Sequence, residues 1–301
     1  MTSPIYTLND SYFDQIDSKV KAYFLGLLYA DGCNYEDIGR IKIDLIESDS
    51  YVLDRLKDEI QYTGIISHYS AEAKTINGKS YECQSTCRLS FISKHMSEVL
   101  ASYGIISHKS EYGKYIESGI IPDDLFHHWV RGMIDGNGGI AYWIDNENTG
   151  HKKFQIHFCG TVDVVNKLAG FFANKFNCKP AITDRYPDRK NNNLQFSICG
   201  NQLVRKILDW LYKNATVYLL RKYEKYQELI LENERAVNDK TLYGSMKQRR
   251  QVIHIPTGKI YESLAAAEKD TGTNRSSICV QAKKNNGRWA YYDESFTKLV
   301  K

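Results

Sequence analysis

No stretch of this 301-residue chain is apolar for long enough to cross a bilayer, which excludes a helical membrane protein. The first residues, Met1-Thr2-Ser3-Pro4 with acidic residues soon after, resemble neither a signal peptide nor a transit peptide. Cysteine does not occur in a pairing pattern. The seven (Cys33, Cys83, Cys87, Cys159, Cys178, Cys199, Cys279) are scattered and odd in number. Cys83 and Cys87 lack a second pair at zinc-finger spacing, so reduced, mostly buried thiols in a cytoplasmic compartment are expected. An excess of one charge is also missing, since the chain carries only +4 overall. That small excess is unevenly spread. Residues 240–301 hold 12 Lys/Arg against 5 Asp/Glu, whereas the preceding part sums to −3. A basic tail on a near-neutral body points to a polyanionic partner for the tail.

What the chain does have is an internal repeat. Phe24-Leu25-Gly26-Leu27-Leu28-Tyr29-Ala30-Asp31-Gly32 is matched by Val130-Arg131-Gly132-Met133-Ile134-Asp135-Gly136-Asn137-Gly138. Both read as helices with small residues four positions apart, Gly26/Ala30 and Gly132/Gly136, on one face. Two such faces can approach more closely than the usual 8–10 Å between helix axes. Parallel pairing would bring Asp31 and Asn137 together, with Gly32 and Gly138 suited to left-handed C-caps. A carboxylate beside free helix-end carbonyls makes the oxygen-rich pocket that a hard cation such as Mg²⁺ requires.

The two segments resemble the LAGLIDADG motif of homing endonucleases, in the two-motif, single-chain arrangement, over residues 10 to about 235. The resemblance implies an α+β fold of two pseudo-symmetric αββαββα repeats forming a DNA-binding saddle, with the motif helices at their interface. It implies catalytic acids at Asp31 and Asn137, and divalent-cation ligands from those side chains with the carbonyls of Ala30 and Gly136. It also places a basic residue after the last helix of each repeat. Lys109 resembles that position in the first repeat and Lys222 in the second, with Arg221 as a close alternative. Asn137 departs from the pattern, because the family usually has Asp or Glu there. An amide offers one neutral acceptor oxygen where a carboxylate offers two charged ones, so cation binding and double-strand cleavage should be impaired. The amide is either a natural loss of one centre or a deliberate Asp→Asn change.

Alternating apolar and polar residues predict strands at 40–46, 65–73, 84–92, 141–144, 154–159, 180–186 and 193–199. Asn77-Gly78 marks a hairpin between the second and third of these. Helices are expected at 50–62, capped by Ser48 or Asp49, and at 95–103, 162–176 and 202–212. The polar strand faces are natural readers of duplex DNA in the major groove. Candidate contacts are Arg40, Lys42, Asp44, His68, Ser70, Lys74, Arg88 and Ser90 in the first repeat. In the second they are Tyr142, Gln155, His157, Thr183, Arg185, Gln195 and Ser197. His127-His128 is rejected as a metal pair, because neighbours on a helix point apart. Asp135 reads as structural.

The domain boundaries expected are 1–118, 119–237, a basic linker 238–250 containing Arg249 and Arg250, and 251–301. A charged helix from about 224 should lead away from the body. In the last segment Pro256-Thr257-Gly258 turns a hairpin, and Ser263 caps a helix that stops at Gly272. A second helix follows with Arg275, Ser276, Ser277, Gln281, Lys283 and Lys284, which fits a helix-turn-helix. This stretch resembles the nuclease-associated modular domains appended to phage and bacterial homing endonucleases. The chain is thus expected to bind double-stranded DNA as a monomer and to hydrolyse it with Mg²⁺. A non-cleaving DNA-binding regulator and an intron RNA maturase are the alternatives.

Overall fold

The computed structural model describes residues 6–71, 73–76, 79–147, 150–184, 192–238, 251–284 and 288–292. The chain divides into two compact units, Met1–Arg235 and Ala236–Lys301. Arg185, Arg249, Arg250, Asn77 and Gly78 lie outside the described residues, as do the side chains of Lys74 and Lys284.

In the first unit, Ser18 caps α1 (Lys19–Asp31) by accepting from the Lys21 amide at 3.2 Å. The chain passes directly into β1 (Gly32–Tyr35) and β2 (Arg40–Ile46), then α2 (Ser50–Glu59), β3 (Ser67–Tyr69), β6 (Thr86–Ile92), α3 (Lys94–Ser102) and the short α4 (Lys109–Tyr112). A separate two-stranded ribbon, β4 (Ala73–Ile76) with β5 (Lys79–Glu82), is inserted between β3 and β6. The single hairpin expected between the two sheet strands is thus interrupted by this ribbon, and Asn77-Gly78, expected to mark it, lies outside the described residues. The second half repeats the order: α5 (Phe126–Asn137), β7 (Gly138–Asn146), β8 (His151–Thr161), α6 (Val162–Phe176), β9 (Ala181–Thr183), β10 (Asn193–Cys199), α7 (Asn201–Leu211) and α8 (Leu220–Asn238). The antiparallel sheets run β1-β2-β6-β3 and β7-β8-β10-β9, so the two halves share one topology.

Period-two burial decides which face of each sheet meets the helices. Ile41, Ile43, Leu45, Leu89 and Phe91 are buried in the first sheet, and Phe154, Ile156, Phe158, Phe196 and Ile198 in the second, all within one core. The glycines ending the motif helices are not left-handed caps. Gly32 has φ −70° and Gly138 φ −112°, both extended, because each helix runs straight into a strand. They are glycine for room instead: a Cβ on Gly32 would stand 2.5 Å from the Leu28 carbonyl oxygen, and one on Gly138 2.7 Å from that of His157.

Helix α8 does not lead away from the body. It begins at Leu220, buries Leu229, and sets Glu232 against the His151 ring (2.9 Å) and the Lys152 amide (3.0 Å). Of the seven cysteines only Cys87 is buried; Cys199 is exposed and the others lie between.

The second unit has its own core of Val252, Tyr261, Ala267, Ile278, Ala282 and Trp289. Strand β11 (Val252–His254) pairs with β12 (Lys259–Tyr261) and with β13 (Trp289–Tyr291), a strand the sequence pattern does not reveal. Helix α9 (Leu264–Thr271) is capped by Ser263 and closes at Gly272 with φ +70°, followed by α10 (Arg275–Lys284).

Candidate active site at the paired helix ends

Helices α1 and α5 run parallel with their backbones in contact. A Cβ on Gly26 would fall 2.1 Å from the Trp129 carbonyl oxygen, and one on Gly132 2.1 Å from that of Tyr23. At the C-terminal end, a Cβ on Gly136 would meet Ala30 Cβ at 2.2 Å and Asp31 Oδ2 at 3.1 Å. The small residues thus bring the Asp31 carboxylate against the residue that precedes Asn137. Asp31 is partly buried and Asn137 exposed.

Each helix end is held by one lysine. Lys109 Nζ donates to the carbonyls of Leu28 (3.0 Å), Tyr29 (2.7 Å) and Ala30 (2.6 Å). Lys222 Nζ donates to the carbonyls of Ile134 (2.7 Å), Asp135 and Gly138 (2.8 Å). A cation at a helix C-terminus is favoured by the unpaired carbonyls and the macrodipole. Burial pushes both ammonium groups down to about 8, while Asp31 pulls Lys109 back up and Asp135 does the same for Lys222. Asp31 is raised above the ordinary carboxylate range by burial, against the opposing pull of Lys109, Lys222 and Arg221. One desolvated acid and two desolvated amines therefore share a site, an arrangement that clusters at catalytic centres.

The carbonyl of Ala30, expected to hold a cation, accepts a hydrogen bond from Lys109. The oxygen donors that remain are the Asp31 carboxylate, the Asn137 side chain and the Gly136 carbonyl, since Lys222 binds the carbonyls of Ile134, Asp135 and Gly138. Among the described residues no cluster of three or more His, Cys, Asp or Glu could hold an ion. Such a donor set fits a hard cation that keeps several waters, and does not fit a zinc cage.

Asp135 is fully buried. Its Oδ2 accepts from the Tyr23 hydroxyl (2.9 Å) and the Leu219 amide (3.0 Å), tying α5 to the segment that carries Lys222. Arg131 is buried beside it, donating to His128 Nδ1 (2.5 Å) and to the carbonyls of Leu211 (2.9 Å) and Val217 (3.2 Å). The His127 and His128 rings lie 3.9 Å apart rather than diverging, with His127 Nε2 on the Lys213 carbonyl (3.2 Å) and His128 Nδ1 on Arg131; burial and Arg131 push His128 down to about 3. In the first half, Ser107 donates its amide (2.9 Å) and hydroxyl (2.5 Å) to Glu36, and buried Asn34 donates to Ser97 and Ile105, both at 2.9 Å. These braces place Lys109, and no motif in the sequence announces them.

Strand register sorts the sheet residues. Arg40, Lys42, Asp44, Arg88 and Ser90 share the polar face of the first sheet, with Lys42 opposite Ser90 and Asp44 opposite Arg88. Arg88 and Lys42 bind Asp44 at 2.5 and 2.9 Å, leaving that cluster net positive. His68 is opposite buried Cys87 and pairs with Glu47 at 2.8 Å, so it belongs to the other face. Ser67 and Tyr69 take the polar face, Tyr69 beneath the Arg88 guanidinium at 4.9 Å. Ser70 is exposed just beyond β3.

In the second sheet Gln155, His157, Gln195, Ser197 and Thr183 share the polar face. Tyr142 is opposite buried Phe154 and lies on the helix side under Lys152, so Ala141 and Trp143 stand where Tyr142 was expected. A strand read one residue out of register presents the wrong face throughout. In the second unit Arg275 pairs with Glu268 at 3.0 Å, and Gln281 accepts from the Arg288 amide at 3.3 Å. Ser276, Ser277 and Lys283 are exposed on α10.

No protein-family model matches the sequence, and no curated protein is similar to it. Among solved structures the fold is similar to that of the LAGLIDADG homing endonuclease I-GzeII in complex with its DNA target (TM-score 0.47, 12% identity, 74% of this chain and 94% of that one). It is similar also to the meganuclease I-SmaMI bound to uncleaveable DNA (TM-score 0.46, 13% identity, 75% and 98% covered). A third is the I-LtrWI LAGLIDADG homing endonuclease bound to target DNA (TM-score 0.46, 11% identity, 78% and 95% covered). No described helix of this chain is long and apolar enough to cross a membrane.

Proposed function

We propose that the chain is a sequence-specific, metal-dependent DNA endonuclease of the LAGLIDADG homing type, reduced to nicking by Asn137. The observation that carries this reading is the Asp31 carboxylate, partly buried at the joined helix ends between two carbonyl-anchored lysines. Asp31, with the Asn137 side-chain oxygen, would hold a Mg²⁺ ion. When bound, the cation supplies an activated water and neutralises phosphate charge. Lys109 and Lys222 stabilise the negative charge that develops on the scissile phosphates. The polar sheet faces read base edges, and α10 of the second unit adds a further DNA contact through Ser276, Ser277 and Lys283. The chain acts as a monomer, because the two halves supply both centres.

Asn137 is what favours a second reading, a DNA-binding protein that does not cleave. The test uses plasmid carrying a site selected by the chain from a random duplex library. With Mg²⁺ the chain is expected to convert supercoiled plasmid to open circle, and Asp31→Asn to abolish nicking while retaining the complex. Binding without any nicking, at every Mg²⁺ and Mn²⁺ concentration tried, supports the second reading.

A further inference from the structure

Asp49 and Thr161 occupy equivalent places in the two halves, immediately before α2 and α6. Both are residue types that ordinarily cap a helix by accepting from its first amides. Neither does so here. The Thr161 hydroxyl, buried, donates instead to the Gly113 carbonyl of the first half at 2.6 Å. The Asp49 carboxylate, also buried, accepts from Arg221 Nε of the second half at 2.9 Å. Two positions further on, the pattern repeats. Asp163 accepts from the Tyr115 amide at 2.8 Å, which holds its carboxyl below the ordinary range. Tyr51 donates to the Tyr218 carbonyl at 3.0 Å and accepts from the Leu220 amide at 2.5 Å. Asn192 adds a bond to the Glu111 carbonyl at 3.0 Å.

The segments so gripped are the ones that carry the two lysines. Gly113 and Tyr115 follow Lys109, and Gly113 itself closes α4 by donating to the Lys109 carbonyl at 2.8 Å. Leu220 and Arg221 precede Lys222, whose amide donates to Leu219 at 3.0 Å. We infer that the two halves position each other's active-centre lysine, with Thr161 and Asp163 clamping the Lys109 segment and Asp49 and Tyr51 clamping the Lys222 segment. These four are positioning residues. Each helix start forgoes its own cap to hold a group across the interface, so neither half completes its centre alone. The inference rests on the proposed function only in giving the lysines a catalytic task.

Amide hydrogen exchange on the full chain tests it. Thr161→Val is expected to speed exchange of Tyr112 and Gly113 about tenfold and leave residues 219–223 unchanged. Tyr51→Phe is expected to do the reverse, speeding Leu220 and Lys222 by about the same factor while residues 109–113 keep their protection. Thr161→Ser, which keeps the hydroxyl, restores protection. Faster exchange confined to the first turn of α6 or α2, equal loosening of both segments, or no change would each overturn the inference. In the Asn137→Asp background with DNA and Mg²⁺, Thr161→Val and Tyr51→Phe should shift the ratio of cutting rates on the two strands in opposite directions. If Asn137→Asp itself cuts nothing, the nuclease reading fails while the exchange data still decide the clamps.

Discussion

Gly136 leaves open the space into which Asp31 reaches: a Cβ there would stand 3.1 Å from Asp31 Oδ2 and 2.2 Å from the Ala30 methyl. The acid is thus set by the packing of two helix backbones rather than by a loop, which fixes its position with little freedom.

The glycine contacts predict a sharp stability series. Gly26→Ala and Gly132→Ala each place a methyl 2.1 Å from a backbone oxygen, which no side-chain adjustment can relieve. Each is expected to cost at least the ~1–3 kcal/mol typical of overpacking, read as a lower urea midpoint. Gly170, in α6 with nothing within 4 Å of its missing Cβ, is the control. Gly170→Ala should stabilise by about 0.5–1 kcal/mol through helix propensity.

Asp31 should trade stability for function. Its folded-state pKa is raised by burial, so the folded chain keeps a proton that the unfolded chain has released. The stability it contributes is complete below the unfolded pKa and lost as pH rises through the folded one. At neutral pH the charged carboxylate is therefore a cost. Asp31→Asn is expected to raise the thermal midpoint at pH 7 while abolishing nicking, and a lower midpoint would contradict this.

The lysines predict the opposite pH trend. Lys109 and Lys222 are depressed from 10.5 to about 8, first by burial, so the unfolded chain binds more protons between those values. Their contribution to stability falls as pH drops through about 8 and grows as pH rises toward 10.5. Urea midpoints at pH 7.5 and 9.5 (roughly either side of the folded value) should therefore differ less in Lys109→Met than in the parent chain. An unaltered difference would count against burial as the cause.

Register predicts which sheet residues read DNA. Ser197, beside His157 and Gln155 on one polar face, should matter at one base-pair position, with Ser197→Ala costing about 1–3 kcal/mol there. Tyr69→Ala should alter affinity through Arg88, whereas His68→Ala and Tyr142→Ala should leave the sequence preference as it was. Binding measured against singly substituted duplexes distinguishes these outcomes.

Much of this fold was legible because repeated helices and period-two strands leave periodic marks. The motif pair, β10 at 193–199 and α6 at 162–176 all follow from residue spacing. What spacing cannot give is the partner strand. His68 and Tyr142 look like polar-face residues until β3 and β7 are paired with β6 and β8. Nor can it show where a cap side chain points. Asp49 reads as an ordinary N-cap, yet its carboxylate crosses to Arg221. Helix-end carbonyls likewise look free in the sequence, and Lys109 is found to donate to that of Ala30.

The central claim, two adjoining cutting centres at the paired ends of α1 and α5, is tested most directly by Asn137→Asp. Plasmid bearing the selected site should pass to linear form with Mg²⁺ in that variant and stop at open circle in the parent chain. Asn137→Asp protein that binds the site but still yields no linear product would contradict the account.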